Sequence, residues 1–355
     1  MFMENTNIHK QLYIQYYIII FMEKKENQYK NIININSLTY LYTQYFWRSI
    51  TKKMKYIIRM FSNFCDSTHC KKSYEICFSK TIENIYGNDK DIYITDDDDY
   101  THIIILNTAM PIIPQHIPKE NVIGFALEPI PFLGLTEIFV KYAEQKIHRY
   151  YLGETLKING LNSHPFVGGN SYLTYTPLPI GFIPNIPRKN TQIMSLMVSE
   201  KRTSTGHIYR HILTDAILKT TNLPIDIYGR GCFLHNPNGD DPRVRGSFGS
   251  NHEMTMNYHF HICIENFRLP HYFSEKIIDP LLCGTTPVYL GCQNIDAFFP
   301  NSVIHLTGNI EDDIKILTNI CKNPLKYKKT IETEKVENFI NPLKHLDEIF
   351  CIKNE

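Results

Sequence analysis

Three neighbouring residues, Ser274-Glu275-Lys276, have the chemistry to hold a phosphorylated sugar. Ser274 is a good N-cap for a helix that begins at Glu275. The N-terminus of a helix attracts phosphate through its free N–H groups and the positive end of its dipole. Lys276 would add a full positive charge, and the carboxylate of Glu275 suits sugar hydroxyls. The alternative is a capped helix with a solvated first turn, and for these three residues alone it is the better interpretation.

The residues on either side of this group favour a binding site. Tyr258 to Ile264 alternates aromatic and aliphatic residues with His and Cys, which is typical of a mostly buried strand. This strand ends at Glu265-Asn266. An apolar helical face follows the cap, Gly284 is a stop signal, and residues 286–290 read as a second strand. The stretch therefore predicts a βαβ unit, and α/β sheets bind ligands at the carboxyl ends of such strands.

A second carboxylate follows another predicted strand. Val122 to Leu127 reads as a buried strand, and Glu128, Pro129 and Pro131 come directly after it. A carboxylate at the mouth of a strand, held rigid by prolines, is well placed to act as a general base. The alternative is a surface glutamate at a strand end.

The order and spacing of these features resemble the C-terminal signature of the α1,3-fucosyltransferases, glycosyltransferase family 10. The signature is carried by Glu265-Asn266, Tyr272, Ser274-Glu275-Lys276, Gly284 and Pro287-Val288-Tyr289-Leu290-Gly291. The resemblance is clearest over residues 193–300, weaker over 55–155 and absent over 1–50.

The resemblance implies an α/β protein of the GT-B type, with two Rossmann-like domains facing a cleft. We predict an N-terminal extension over 1–50, whose structure the sequence does not indicate. An acceptor-side domain follows over 51–180, and a nucleotide-sugar-binding domain covers 190–355. Prolines between 177 and 187 mark the linker. Hydrophobic periodicity predicts helices over 134–148, 206–219, 310–320 and 327–348, the second of them through Ile208, Ile212, Leu213, Ile217 and Leu218.

The resemblance also implies inverting transfer of fucose from GDP-fucose to a hydroxyl of a glycan acceptor. Glu128 matches the glutamate that is proposed as the catalytic base of the family. The donor would be held by Glu265, Asn266, Tyr272, Ser274, Glu275 and Lys276. No cofactor and no metal ion are expected, because Lys276, the helix N-terminus and a basic loop can neutralise the diphosphate. Two alternatives stay open: a GT-B transferase that uses another nucleotide sugar, and a non-catalytic protein that binds nucleotide sugars or glycans.

One departure from the family concerns its phosphate-binding arginine. Family members usually carry this Arg four residues before the helix tyrosine that Tyr209 matches, and here the position is Thr205. Lys201 and Arg202, a few residues earlier in the same loop, are the predicted substitutes. Arg243 and Arg245, in the turn-rich stretch 231–250, are further candidates for donor contacts.

Other features of the chain exclude some partners. The net charge of +1 gives no reason to expect a nucleic-acid partner. The acidic run from Asp96 to Asp99 is interpreted as a solvated turn rather than a set of metal ligands. Cys65, Cys70 and Cys77 fit no zinc motif. We interpret the nine cysteines as reduced thiols, and a disulfide among these three stays open if the chain is exported.

The apolar run from Leu12 to Met22 is the one stretch that suggests a membrane. It is too short to span a bilayer, which needs ~20 apolar residues, and it lacks the small-residue cleavage site of a signal peptide. The animal members of the family carry a membrane anchor at this end, from which this chain departs. We expect a cytoplasmic or otherwise soluble protein, with peripheral membrane association as the alternative. The sequence does not indicate an oligomeric state.

Overall fold

The computed structural model describes residues 55–153, 157–158, 161–165, 192–220, 223–248, 255 and 257–350. The predicted extension over 1–50 and the predicted proline-rich linker lie outside these residues. The strands are β1 (Tyr56–Ser62), β2 (Ile92–Thr95), β3 (His102–Leu106), β4 (Val122–Phe125), β5 (Arg149–Gly153), β6 (Lys157–Ile158), β7 (Leu161–Pro165), β8 (Gln192–Met197), β9 (Ile225–Tyr228), β10 (Val244–Gly246), β11 (Tyr258–Ile264), β12 (Thr286–Leu290) and β13 (Ile304–His305). The α-helices are α1 (Ser67–Cys77), α2 (Ile130–Leu133), α3 (Glu137–Lys146), α4 (Thr205–Lys219), α5 (Glu275–Leu282), α6 (Ile310–Lys322), α7 (Pro324–Tyr327), α8 (Thr333–Ile340) and α9 (Leu346–Ile349).

The first sheet has the strand order β2-β1-β3-β4-β5-β7-β6. Its neighbouring strands run parallel except for the β6–β7 pair at the edge. All five residues of β3 are buried, and Ile103 pairs with Val122 of β4. Parallel sheets are covered on both faces, so their central strands are nearly continuous apolar runs.

The second sheet has the strand order β10-β9-β8-β11-β12-β13, with every pair parallel. In its centre, Phe260 of β11 pairs with Met194 of β8 on one side and with Thr286 of β12 on the other. Helix α4 joins β8 to β9, and α5 joins β11 to β12. The predicted βαβ unit is therefore confirmed, and so is the fold class of two parallel α/β sheets.

Three predicted boundaries were wrong. Strand β4 ends at Phe125 rather than Leu127, because the N–H of Leu127 donates to the side chain of Asn107 instead of a neighbouring strand. Helix α3 begins only at Glu137, where Thr136 caps it. The single helix predicted over 327–348 is several short ones, since a 3-10 turn at Pro342–Lys344 separates α8 from α9.

The last helices return to the first sheet. The Tyr56 hydroxyl donates to Asp347 at 3.0 Å, the Tyr74 hydroxyl to Asn341 at 3.2 Å and the Tyr151 hydroxyl to the Ile349 carbonyl at 2.6 Å. One apolar core runs from these strands through α5 to α9. The described residues between Lys55 and Phe350 consequently form one unit. The domain boundaries drawn from the sequence stay a prediction.

Candidate donor-binding site

A pocket lies where the carboxyl ends of strands from both sheets meet. Its lining comes from the last residue of β8, from the segments after β4, β8 and β11, from the first two turns of α4 and from the start of α5. The lining residues are Leu127, Glu128, Met197, Ser199, Lys201, His207, Arg210, Asn266, Tyr272, Ser274, Glu275 and Lys276. The cavity volume is about 210 Å³, somewhat below the ~300–1,000 Å³ of typical small-molecule sites. Of the nine predicted site residues, the structure brings seven to this pocket. Glu265 and Arg202 are the two that do not line it.

Glu265 lies beneath the pocket, where it holds the start of α5. Its carboxylate accepts from the Ser274 N–H at 2.9 Å and from the Ser274 hydroxyl at 2.7 Å. The side chain is buried, and burial raises the pKa of this carboxyl. The direct donor contact predicted for Glu265 stays untested, and its hydrogen bonds describe a residue that supports Ser274.

The first turn of α5 carries a compact group of charges. Ser274 caps the helix as predicted. The Lys276 ammonium lies 2.9 Å from Glu275 and 4.0 Å from Glu265. Burial opposes ionisation of Lys276, but the two carboxylates override it and raise the pKa of the lysine. The same ion pair lowers the pKa of Glu275 against the opposing effect of burial. Both partners are therefore charged at neutral pH.

Arg210 and His207 on α4 are pocket residues that the sequence analysis missed. The Arg210 guanidinium donates to the Asn266 side-chain oxygen at 2.7 Å and to the Gly206 carbonyl at 3.2 Å. Arg210 is 3% exposed. Because guanidinium groups stay protonated in proteins, it brings a buried positive charge to the pocket wall.

The surroundings of His207 favour a neutral ring. Burial, followed by the nearby Arg210 and Lys201 charges, lowers the pKa of His207 to about 4. The Ser204 hydroxyl accepts from the His207 backbone N–H and lies 2.7 Å from Nδ1. This arrangement favours the tautomer with its proton on Nε2, so His207 can offer a hydrogen-bond donor without a charge.

The first turn of α4 approaches the end of β11 so closely that a glycine is required. A Cβ on Gly206 would lie 1.8 Å from the Glu265 carbonyl oxygen. The Gly206 N–H instead donates to the Asn266 carbonyl at 3.0 Å. This contact joins the first turn of α4 to the end of β11 and thereby brings Arg210 to Asn266.

The first sheet contributes Leu127 and Glu128. Glu128 comes shortly after the end of β4 and lines the pocket. Nearby, the Phe132 ring packs against Phe267, with 5.1 Å between ring centroids, and against His207 at 6.4 Å. These contacts hold the segment after Glu128 against the second sheet.

Of the two predicted substitutes for the missing arginine, only Lys201 lines the pocket. The Lys201 carbonyl lies 3.2 Å from His211 Nε2. His211 Nδ1 is 2.8 Å from His235 Nε2, and His235 Nδ1 is 2.6 Å from Asp215. Arg202 is exposed beside these hydrogen-bonded side chains. Its predicted phosphate contact stays untested. The Thr205 hydroxyl lies 3.5 Å from the Asn266 carbonyl.

Arg243 has a structural role at the other end of α4. Its guanidinium donates to the carbonyls of Ile217, Leu218, Thr220 and Leu223, and it pairs with Asp241 at 2.7 Å. It thus caps the C-terminus of α4, at the far end of the helix from Arg210. Arg245 pairs with Asp226 at 3.1 Å.

The acidic run forms surface ion pairs, as predicted for a solvated turn. Asp98 pairs with Arg59 and Asp96 with Lys71 at 2.9 Å, which lowers the pKa of Asp96 through a hydrogen bond. Among the described residues no group of His, Cys, Asp and Glu side chains could hold a metal ion. The same residues include no helix long and apolar enough to cross a membrane.

Comparison with known proteins relates the second half of the chain to one family. Residues 186–350 match the family model of glycosyltransferase family 10 (fucosyltransferase), C-terminal part. A fucosyltransferase-like protein of Arabidopsis thaliana is 31% identical over 33% of this chain and 21% of its own length. GDP-fucose protein O-fucosyltransferase 3 of Danio rerio is 30% identical over 36% of this chain and 29% of its own length. The chain thus spans less than a third of the curated relatives that it matches.

Two solved structures align with most of this chain at low sequence identity and with TM-scores below 0.5. An α1,3-fucosyltransferase superposes with a TM-score of 0.47 and 13% identity, covering 86% of this chain and 91% of that one. WaaG, a glycosyltransferase of lipopolysaccharide biosynthesis, gives a TM-score of 0.46 and 12% identity, covering 82% and 99%. The relation to a family therefore depends on the sequence match over residues 186–350.

Proposed function

We propose that this protein, whose residues 186–350 match the C-terminal part of glycosyltransferase family 10, transfers fucose from GDP-fucose to a hydroxyl of a glycan acceptor with inversion at the anomeric carbon. One observation carries the proposal. A single pocket unites Glu128 from the first sheet with Arg210, Lys276 and Lys201 from the second. A base facing a group of cations is the arrangement that sugar transfer from a nucleoside diphosphate needs.

The reaction assigns one step to Glu128. Its carboxylate takes the proton of the acceptor hydroxyl while that oxygen forms a bond to the anomeric carbon of fucose. The bond from this carbon to the diphosphate oxygen breaks, and GDP leaves with the electron pair. Attack from the face opposite the leaving group inverts the anomeric centre. General-base assistance of this kind typically contributes ~10²–10⁴-fold to the rate.

The cations would stabilise the leaving group. Negative charge builds on the diphosphate as the glycosidic bond breaks, so positive groups that bind it more strongly in the transition state lower the barrier. Arg210 and Lys276 are partly desolvated, which strengthens such interactions. Arg210 takes the place of the family arginine whose position here is Thr205. We propose that these side chains, with Lys201 and the N-terminus of α5, neutralise the diphosphate without a metal ion.

Glu275 would contact the sugar of the donor, and Tyr272 would contact its nucleotide. The Glu275 carboxylate is ionised and can accept from sugar hydroxyls, which is the means by which a site built on hydrogen bonds selects one sugar over another. The curated relative named after GDP-fucose supports fucose as that sugar. Residues of the second sheet thus bind the donor, and the first sheet faces the acceptor.

A donor titration tests the proposal. GDP-fucose, GDP-mannose and UDP-glucose are titrated into the full chain by calorimetry, and release of GDP is then followed with and without glycan acceptors. We expect GDP-fucose to bind most tightly and acceptors to accelerate GDP release. Tight binding without any acceptor-dependent release would identify a non-catalytic binding protein, and a preference for UDP-glucose would identify a transferase with another donor.

A further inference from the structure

Asn107 stands at the junction between the first sheet and the segment that carries Glu128. It comes directly after β3 and is 1% exposed. Its φ of 53° lies in the left-handed region, which residues other than glycine, asparagine and aspartate adopt only with strain. The backbone here accepts an unusual conformation in order to direct the amide side chain.

The hydrogen bonds of Asn107 converge on the end of β4. Its side-chain oxygen accepts from the backbone N–H of Leu127 at 2.8 Å and from that of Glu128 at 3.3 Å. Its own N–H donates to the Phe125 carbonyl at 2.7 Å. Its carbonyl accepts from the buried Tyr150 hydroxyl at 2.8 Å. One residue therefore fixes the chain on both sides of the point where β4 stops, and it does so at the backbone of Glu128 itself.

The choice of an amide at this position also has a chemical reason. The Asn107 side-chain nitrogen is buried and has no hydrogen-bond partner among the described residues, and an unpaired buried donor is costly. An aspartate would accept the same two hydrogen bonds without that unpaired donor. It would, however, bring a second negative charge next to Glu128, and neighbouring carboxylates disfavour each other's ionised form.

We propose that Asn107 is the positioning residue for Glu128, an inference that rests on the function proposed above. It would fix the direction of the segment that carries Glu128, and as a neutral amide it adds no charge beside the Glu128 backbone. Asn107 is absent from the pocket lining, so it acts on the reaction only through Glu128. A displacement of a reacting group by about 1 Å can cost ~10²-fold in rate, which is the scale of effect that loss of these hydrogen bonds should have.

Three variants separate positioning from simple folding. Asn107→Gly tolerates the left-handed backbone and removes the hydrogen-bond acceptor. Asn107→Asp keeps both the backbone conformation and the acceptor, and adds a carboxylate. Asn301→Gly is the matched control, because Asn301 has a similar φ of 59° in an exposed turn. For each full-length variant, kcat, the KM for acceptor, GDP affinity, the melting temperature and the pH–rate profile are measured with GDP-fucose.

We expect Asn107→Gly to lower kcat by ~10–100-fold with GDP affinity close to that of the parent, and Asn301→Gly to behave as the parent does. Asn107→Asp should retain more of kcat than Asn107→Gly, and the acidic limb of its pH–rate profile should move to higher pH. Parent-like kcat and pH profile in both Asn107 variants would overturn the inference. If Asn107→Gly does not fold, Asn107→Asp decides the matter by itself: an acidic limb at the same pH as in the parent pH–rate profile would overturn the inference. Fucose transfer that survives Glu128→Gln would instead contradict the proposed base.

Discussion

Replacement of Arg210 by methionine removes one charge from the pocket and retains much of the side-chain volume. The parent guanidinium donates to Asn266 at 2.7 Å and to the Gly206 carbonyl at 3.2 Å, on the wall where we place the diphosphate. A hydrogen bond to a charged group contributes about 1.5–3 kcal/mol. Loss of this interaction should therefore weaken GDP binding by about 10- to 150-fold.

Calorimetric titration of GDP measures this loss, and Arg243→Met is the control. Arg243 lies at the opposite end of α4, where it binds the last carbonyls of the helix. Its loss should lower the unfolding free energy by about 1–3 kcal/mol and leave GDP affinity unchanged. A folded Arg210→Met protein with the GDP affinity of the parent would show that Arg210 does not contact the diphosphate, and the charge would then fall to Lys276 and Lys201.

Three further predictions concern the packing of α4 at Gly206, the role of Arg202 in the loop before α4, and the pH dependence of stability. Gly206→Ala should destabilise the protein by about 1–3 kcal/mol and weaken GDP binding, because its Cβ would meet backbone 1.8 Å away; parent-like thermal melting would refute the close approach. Arg202→Ala should leave GDP affinity unchanged in calorimetry, because Arg202 does not line the pocket; a tenfold loss would return it to the site. Burial lowers the pKa of His102 from 6.5 to about 4. The unfolded chain therefore binds a proton that the folded chain rejects, and the unfolding free energy should fall by up to about 3 kcal/mol from pH 6.5 to pH 4. Denaturant titrations at several pH values should show that the unfolding free energy of the parent falls more steeply between pH 6.5 and pH 4 than that of His102→Phe. An equal pH dependence in both proteins would contradict the lowered pKa of His102.

The residues at strand ends could be predicted from the sequence. An apolar run that stops at Glu265-Asn266 or at Glu128 marks the carboxyl edge of a parallel sheet, and the structure brings Asn266 and Glu128 to one pocket. Burial of Glu265 could not be predicted in the same way. A carboxylate at a strand end can face either a ligand or the N-cap residue of the next helix. Which of the two it faces depends on the path of the following loop, and the spacing of apolar residues does not specify that path.

Arg210 was missed because the apolar periodicity of α4 describes its buried face only in part. Ile208 and Ile212 are 46% and 47% exposed, although their spacing reads as an apolar stripe. The buried face combines Leu213 and Ile217 of that stripe with the polar residues His207 and Arg210. The sequence does contain a sign of this face, because His207 and Arg210 are spaced from Ile217 so that all three fall on one side of a helix. A buried polar residue on such a face needs a partner from another element, and Asn266 supplies it only in the folded chain.

The most direct test of the account is the rate of fucose transfer by Glu128→Gln. The substitution keeps the shape of the side chain and removes its basicity. We predict that transfer from GDP-fucose falls by ~10²–10⁴-fold, that GDP affinity stays close to that of the parent, and that the acidic limb of the pH–rate profile disappears. Near-normal transfer by a pure Glu128→Gln protein would contradict the claim that this pocket joins a base on one sheet to a nucleotide sugar on the other.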